Sequence, residues 1–320
     1  MYIEHHSETG LTGTFGIRPR LKRVARRVLI GCLILLPTTM TVLAQAPTPP
    51  PQAAGYNLVF SVNFTGPVGT PAYQPINLST SSSGTNYTWY PEGSSSASNI
   101  FFTTYTPPGG SPGQALELNW VNGGRGSLTG FETKNSSSSY YRGFHYGYFE
   151  ASFAWDPVGG AWPAFWMDGY PATGGPSGKE YGELDIFEGQ CCGNGTWGYY
   201  IGPNVYYGTV HDWVGSTDVD NNNCCNYFNM PDGTDVSQFH TYGVLWVPGE
   251  VTWYFDNQPM GSYPTMPIYD TDLTQLYYLI LGSQEGCNWS GGNKTCGTPS
   301  NIWMNIQWVR VWQLPGGIQN

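Results

Sequence analysis

The stretch Tyr181-Gly182-Glu183-Leu184-Asp185-Ile186-Phe187-Glu188-Gly189 sets three carboxylates inside an apolar run, in a chain with only 11% charged residues. Acids alternate with Leu184 and Ile186, a period of two that reads as a strand with one polar face. Glu183 and Asp185 are two apart and therefore point the same way. Glu188 is five from Glu183 and would point away on a regular strand. One extra residue, a β-bulge at Ile186-Phe187, returns it to the shared face.

Three acids on one face repel one another, and crowding raises the pKa of at least one. A protonated acid beside an ionised one is the pair that glycosidic bond cleavage needs. Carboxyls about 5–5.5 Å apart let one attack the anomeric carbon while the other protonates the leaving oxygen. Strand positions four steps apart are roughly 13 Å apart at Cα, so sheet curvature and long Glu side chains have to close the gap. On spacing alone, a solvated acidic face or a calcium site stays open beside catalysis.

The flanking residues narrow this. Gly160-Ala161-Trp162-Pro163-Ala164-Phe165-Trp166, followed by Gly182-Glu183-Leu184-Asp185-Ile186-Phe187-Glu188, resembles the active-site region of glycoside hydrolase family 16. The likeness is to the bulged E-x-D-x-x-E branch, which includes laminarinases, agarases and carrageenases. It implies Glu183 as nucleophile, Asp185 as its helper and Glu188 as general acid/base in a retaining mechanism. It also implies an all-β fold, one jelly-roll sandwich of two curved antiparallel sheets with the acids in a concave cleft. Further matches are Phe239-His240-Thr241-Tyr242 with Val251-Thr252-Trp253-Tyr254-Phe255-Asp256, and the closing run Trp303 to Gln313.

Other runs read as strands by alternation: Tyr56 to Phe64, Ala115 to Trp120, a long one from Gly143 to Trp155, and Leu276 onward. Gly66 to Ser98 reads as long loops around Tyr87-Thr88-Trp89-Tyr90, and Met167 to Gly182 as a Gly- and Pro-rich loop. With 13 Trp and 23 Tyr, aromatics serve both a sandwich core and sugar-stacking platforms. One of Trp162 and Trp166 is expected in the core and the other in the cleft. Tyr181, His211, Trp213, Gln284 and Glu285 complete the expected substrate-binding set.

The chain departs from the family pattern at several places. Gly178-Lys179 stands where Trp-Pro is common. Ser152-Phe153 follows Glu150 where an Arg is usual, which removes an expected ion pair. Asn63 and Gln307 replace acids that help hold a structural calcium, so a calcium ion is in doubt, and no cofactor is required.

Arg18, Arg20, Lys22, Arg23, Arg26 and Arg27 precede the apolar run Val28 to Leu36, and Ala44-Gln45-Ala46 follows. Residues 1–46 therefore read as an export signal, 47–54 as a Pro-rich linker and 55–315 as the catalytic domain. The chain has 12 Lys and Arg and 22 Asp and Glu; residues 1–46 hold 6 and 2, which leaves a net charge of −14 beyond them. Such a surface repels nucleic acid and anionic lipid and favours a neutral polysaccharide as partner. No stable membrane insertion is expected after signal removal, and the protein reads as a secreted, periplasmic or cell-surface monomer. Cys191, Cys192, Cys224, Cys225, Cys287 and Cys296 are an even set in an exported chain and read as disulfides. Cys287 with Cys296 and doublet with doublet is the expected pairing, with vicinal bonds as the alternative. The leading function is an endo-hydrolase of β-1,3- or β-1,3-1,4-glucan. An agar-type galactanase, a wall transglycosylase and a catalytically silent lectin are the alternatives.

Overall fold

The computed structural model describes residues 47–66, 68–69, 76–78, 87–91, 99–106, 112–121, 126–132, 143–159, 161–171, 180–189, 203–215, 217–219, 226–285 and 301–319. The expected export signal, all six cysteines beyond it and Gly178-Lys179 lie outside these residues.

Two antiparallel sheets face each other across one apolar core. The first runs in the order Gln258–Pro264, Glu250–Phe255, His240–Val247, Gly147–Trp155, Asn301–Gln313, Gly113–Val121 and Ile100–Tyr105, with Asn57–Asn63 also paired to Asn301–Gln313. The second runs Thr217–Asp218, Val205–Val214, Glu180–Glu188, Ala161–Pro171, Gln275–Glu285, Gly126–Glu132, Tyr87–Pro91 and Ile76–Leu78. Asn226–Asn229 adds to the second sheet beside Val205–Val214. Alternation drives this arrangement. In the closing strand Ile302, Met304 and Ile306 are buried, the register slips between Ile306 and Trp308, and Val309 and Val311 take over on the core side. Among the described residues no helix is long and apolar enough to cross a membrane.

The run expected as one strand from Gly143 to Trp155 is divided. Phe144–His145 pairs within the second sheet and Gly147–Trp155 within the first. The break sits at Tyr146 (φ 58) and Gly147 (φ 138). A Cβ on Gly147 would stand 2.6 Å from Trp312 O, so the crossing between sheets requires glycine there. The Met167–Gly182 loop is also corrected. The strand beginning at Ala161 continues to Pro171, paired residue by residue with Gln275–Glu285, and the next begins at Glu180. Tyr87–Pro91, expected within loops, is a strand of the second sheet.

Ala53, in the stretch read as a linker, is buried with Tyr148 and Trp312 on the outside of the first sheet. In that sheet the Arg expected near Glu150 is replaced from another strand. Arg310 is the cross-strand partner of Glu150, and Trp312 Nε1 donates to Glu150 Oε1 at 2.8 Å. Asn63 and Gln307 offer amide oxygens and no carboxylate, and Gln307 Oε1 already accepts from Ser152 Oγ at 3.1 Å. That is a poor donor pair for a hard cation.

Candidate active site

The acid strand Glu180–Glu188 carries the bulge. Asp185 is opposite Thr209 and Glu188 opposite Tyr207, three steps on one strand against two on its neighbour. The other neighbour agrees, with Glu183, Asp185 and Glu188 opposite Asp168, Trp166 and Ala164. Leu184, Ile186 and Phe187 are all fully buried in the core, so two consecutive residues point inward and Glu188 rejoins the face of Glu183 and Asp185.

A bulge frees backbone groups that must find partners elsewhere. Here Trp253 Nε1, from the opposite sheet, donates to Asp185 O at 2.9 Å. Gly208 makes the approach possible, because a Cβ there would lie 2.2 Å from Trp253 Nε1. At the other end of the acid strand the Tyr269 hydroxyl reaches both Glu183 O and His211 O, the latter at 2.9 Å. Gly182 N donates to Gln275 Oε1 at 2.9 Å. Trp253→Phe leaves the Asp185 carbonyl buried without its partner and is expected to destabilise the fold by about 1–3 kcal/mol. Urea unfolding checks the magnitude, and a variant as stable as the parent would refute the brace.

On the outer face of this sheet the cross-strand registers define rows. One row holds Ala164, Glu188, Tyr207 and Tyr227; the next Trp166, Asp185 and Thr209; the next Tyr278, Asp168, Glu183 and His211; and the last Tyr181, Trp213 and Asp218. Trp162 Nε1 donates to Glu188 Oε1 at 3.0 Å. Trp162 and Trp166 are both half-buried and neither belongs to the core, so both stand on the acid face, where one was expected inside. Trp213 packs its ring 5.5 Å from that of His211 at 33°. Gln284 and Glu285 are in backbone register with Trp162 and Ala161. Residues not anticipated are Asp168, which accepts from Tyr278 Oη at 3.0 Å, and Asp218, whose Oδ2 accepts from His211 Nδ1 at 2.7 Å. Tyr207 and Tyr227, which extend the Glu188 row, are further additions.

Burial, then the charge of Asp185, pushes Glu188 up to about 8, against the weaker pull of His211 and the Trp162 hydrogen bond. Burial and Asp185 also push Glu183 well above the ordinary carboxylate range, and His211 opposes them. One oxygen each of Glu183 and Asp185 and one nitrogen of His211 lie within 4.8 Å of one another. The imidazolium therefore favours the ionised form of Glu183, against burial and its acidic neighbours. His211 Nε2 stands 3.2 Å from Asp185 Oδ2 while Nδ1 faces Asp218, so both ring nitrogens meet carboxylates. Carboxylates at both ring nitrogens favour the charged form of the histidine.

The basic limb of the kcat/KM profile is expected near pH 8, where Glu188 loses its proton. Trp162→Phe removes a donor that stabilises the ionised form, so the limb should move upward. A limb that stays in place or falls would remove Trp162 from the proton balance of Glu188.

A two-sheet antiparallel sandwich with a bulged acid strand on its outer face defines a jelly roll of the concanavalin A-like class. The sequence matches the family model described as "Glycosyl hydrolases family 16" over residues 111–296, more than half of the chain. The chain belongs to that family. It is 30% identical over 172 residues to the endo-1,3-1,4-beta-glycanase EglC of Rhizobium meliloti (strain 1021), covering 53% of this chain and 30% of that protein. With the endo-1,3-1,4-beta-glycanase ExsH of the same organism, identity is 26% over 287 residues, covering 82% of this chain and 55% of that protein. The chain thus spans about half or less of the length of these relatives. The kappa-carrageenase of Zobellia galactanivorans shares the fold with a TM-score of 0.53 at 18% identity, over 81% of this chain and 95% of that one.

Proposed function

We propose that this protein is an exported, retaining endo-glycoside hydrolase acting on β-1,3- or mixed β-1,3-1,4-linked glucan. The observation that carries the reading is the bulge that returns Glu188 to the face of Glu183 and Asp185. In this reading ionised Glu183 attacks the anomeric carbon while protonated Glu188 gives its proton to the leaving oxygen. Glu188, now a carboxylate, then takes a proton from water, which displaces Glu183 and restores both groups with net retention. Asp185, between them and paired to His211, tunes proton affinity on both sides.

Half-buried Trp162, Trp166 and Tyr181, with 64% exposed Tyr227 in the Glu188 row, supply flat surfaces for stacking against pyranose rings. The glucan reading draws support from what EglC and ExsH are named for and from the strongly acidic balance beyond residue 46, which suits a neutral polymer.

The test is a panel of laminarin, lichenan, agarose and carrageenan, with reducing ends and product lengths measured and the first-formed anomer followed by proton NMR. Rapid shortening of a glucan with β-anomer formed first is the expected result. Cleavage of agarose alone would replace the substrate. Products longer than the starting chains would indicate transglycosylation. Tight binding across the panel without new reducing ends would return the lectin reading.

A further inference from the structure

Thr217–Asp218 is a two-residue strand that turns back on Val205–Val214 through Gly215 (φ 67), with Asp218 opposite Trp213. The turn brings Asp218 Oδ2 to 2.7 Å from His211 Nδ1, and on the other side of the ring Nε2 is 3.2 Å from Asp185 Oδ2. The three side chains are 15%, 14% and 3% exposed, so little water screens the chain of charges.

We propose that Asp218 is a positioning residue: through His211 it keeps a fixed positive charge beside Asp185 and Glu183, and so sets the pH range in which Glu183 is ionised while Glu188 stays protonated. The inference deepens the hydrolase reading and rests on the roles given there to Glu183 and Glu188. The groups that act on His211 are Asp185, Glu183 and, further along, Glu188 on the acid strand and Asp218 on the returning strand, while Asp168, one strand beyond, acts on Glu183. Trp213 covers the ring, and the Tyr269 hydroxyl holds the backbone carbonyl from beneath. Burial alone would discharge the imidazole, but the bond and charge of Asp185, with Glu183 and Asp218, outweigh it and raise its pKa to about 10. Above the range in which Glu188 works, the histidine is therefore still charged.

Asp218→Asn keeps an oxygen that can accept from Nδ1–H and removes the charge. The expected result is a His211 titration lowered by about one pH unit or more, read by imidazole nitrogen NMR with His211→Gln for assignment. In the same variant kcat near neutral pH, where a ring titrating about one unit lower is still charged, should stay within about threefold of the parent's, and on the alkaline side, between the lowered and the original titration, it should fall by up to about tenfold relative to the parent with KM little changed. Asp218→Glu, which keeps the charge, should restore both the titration and the profile. A His211 titration that does not move, or a loss of kcat equal at every pH, would overturn the proposal. The NMR arm needs no turnover. If the titration moves while Glu183→Gln is still active, the nucleophile assignment fails and the Asp218–His211 coupling stands.

Discussion

Glu183→Gln is expected to lower kcat on polysaccharide by on the order of 10⁴-fold or more, because in the proposed mechanism Glu183 is the group that forms the covalent intermediate. The amide occupies the same volume, so substrate affinity should change little. Glu183→Gly opens a gap of carboxylate size. Azide added to that variant should displace an activated aryl leaving group directly and give a glycosyl azide of inverted configuration. Such rescue identifies the group that attacked the sugar, which loss of activity alone does not. Full activity in Glu183→Gln would sink the assignment.

Glu188→Gln should lower turnover of polysaccharide by about 10²–10⁴-fold, the range for loss of a positioned acid. Aryl glycosides with acidic leaving groups need no proton in the first step, so the defect on them should be smaller. The basic limb near pH 8 should vanish with the titrating group. Stability moves the other way. The folded state raises the Glu188 pKa from 4.5 to about 8, so its contribution to stability is complete below the lower value and is lost as pH climbs to the upper. Glutamine does not titrate. The melting temperature of Glu188→Gln relative to the parent should therefore increase between those two pH values and level off above them. A difference that is flat across this range would contradict the burial and crowding described for Glu188.

The acid strand was legible because two consecutive apolar residues, Ile186 and Phe187, interrupt an otherwise period-two pattern. A bulge is the simplest way to keep both in the core with the acids outside. The sandwich followed from similar alternations, as in Asn301–Gln313. Asp168 was hidden by its neighbours, since Gly169 and Pro171 read as a loop. The spacing of Trp162, Ala164, Trp166 and Asp168 by twos nevertheless carried the signal that the strand runs on. Asp218 was not legible at all. A two-residue strand has no periodicity, and its meeting with His211 depends on a turn at Gly215 that any flexible loop could contain. The break at Tyr146 was equally silent, because nothing in an aromatic residue announces a positive φ. Its sign is the glycine after it, whose reason is the nearby Trp312 carbonyl.

The indole of Trp253 reaches from one layer to the back of the other, where the acid strand departs from regular pairing. The backbone at the bulge is thus held from the other layer, at a distance that no residue of the cleft controls by itself. Grafting the nine-residue acid strand onto a sandwich of different thickness would carry the chemistry's letters without its ruler. Mild heating or pressure that loosens the layers should, for the same reason, erode turnover well before the molecule melts.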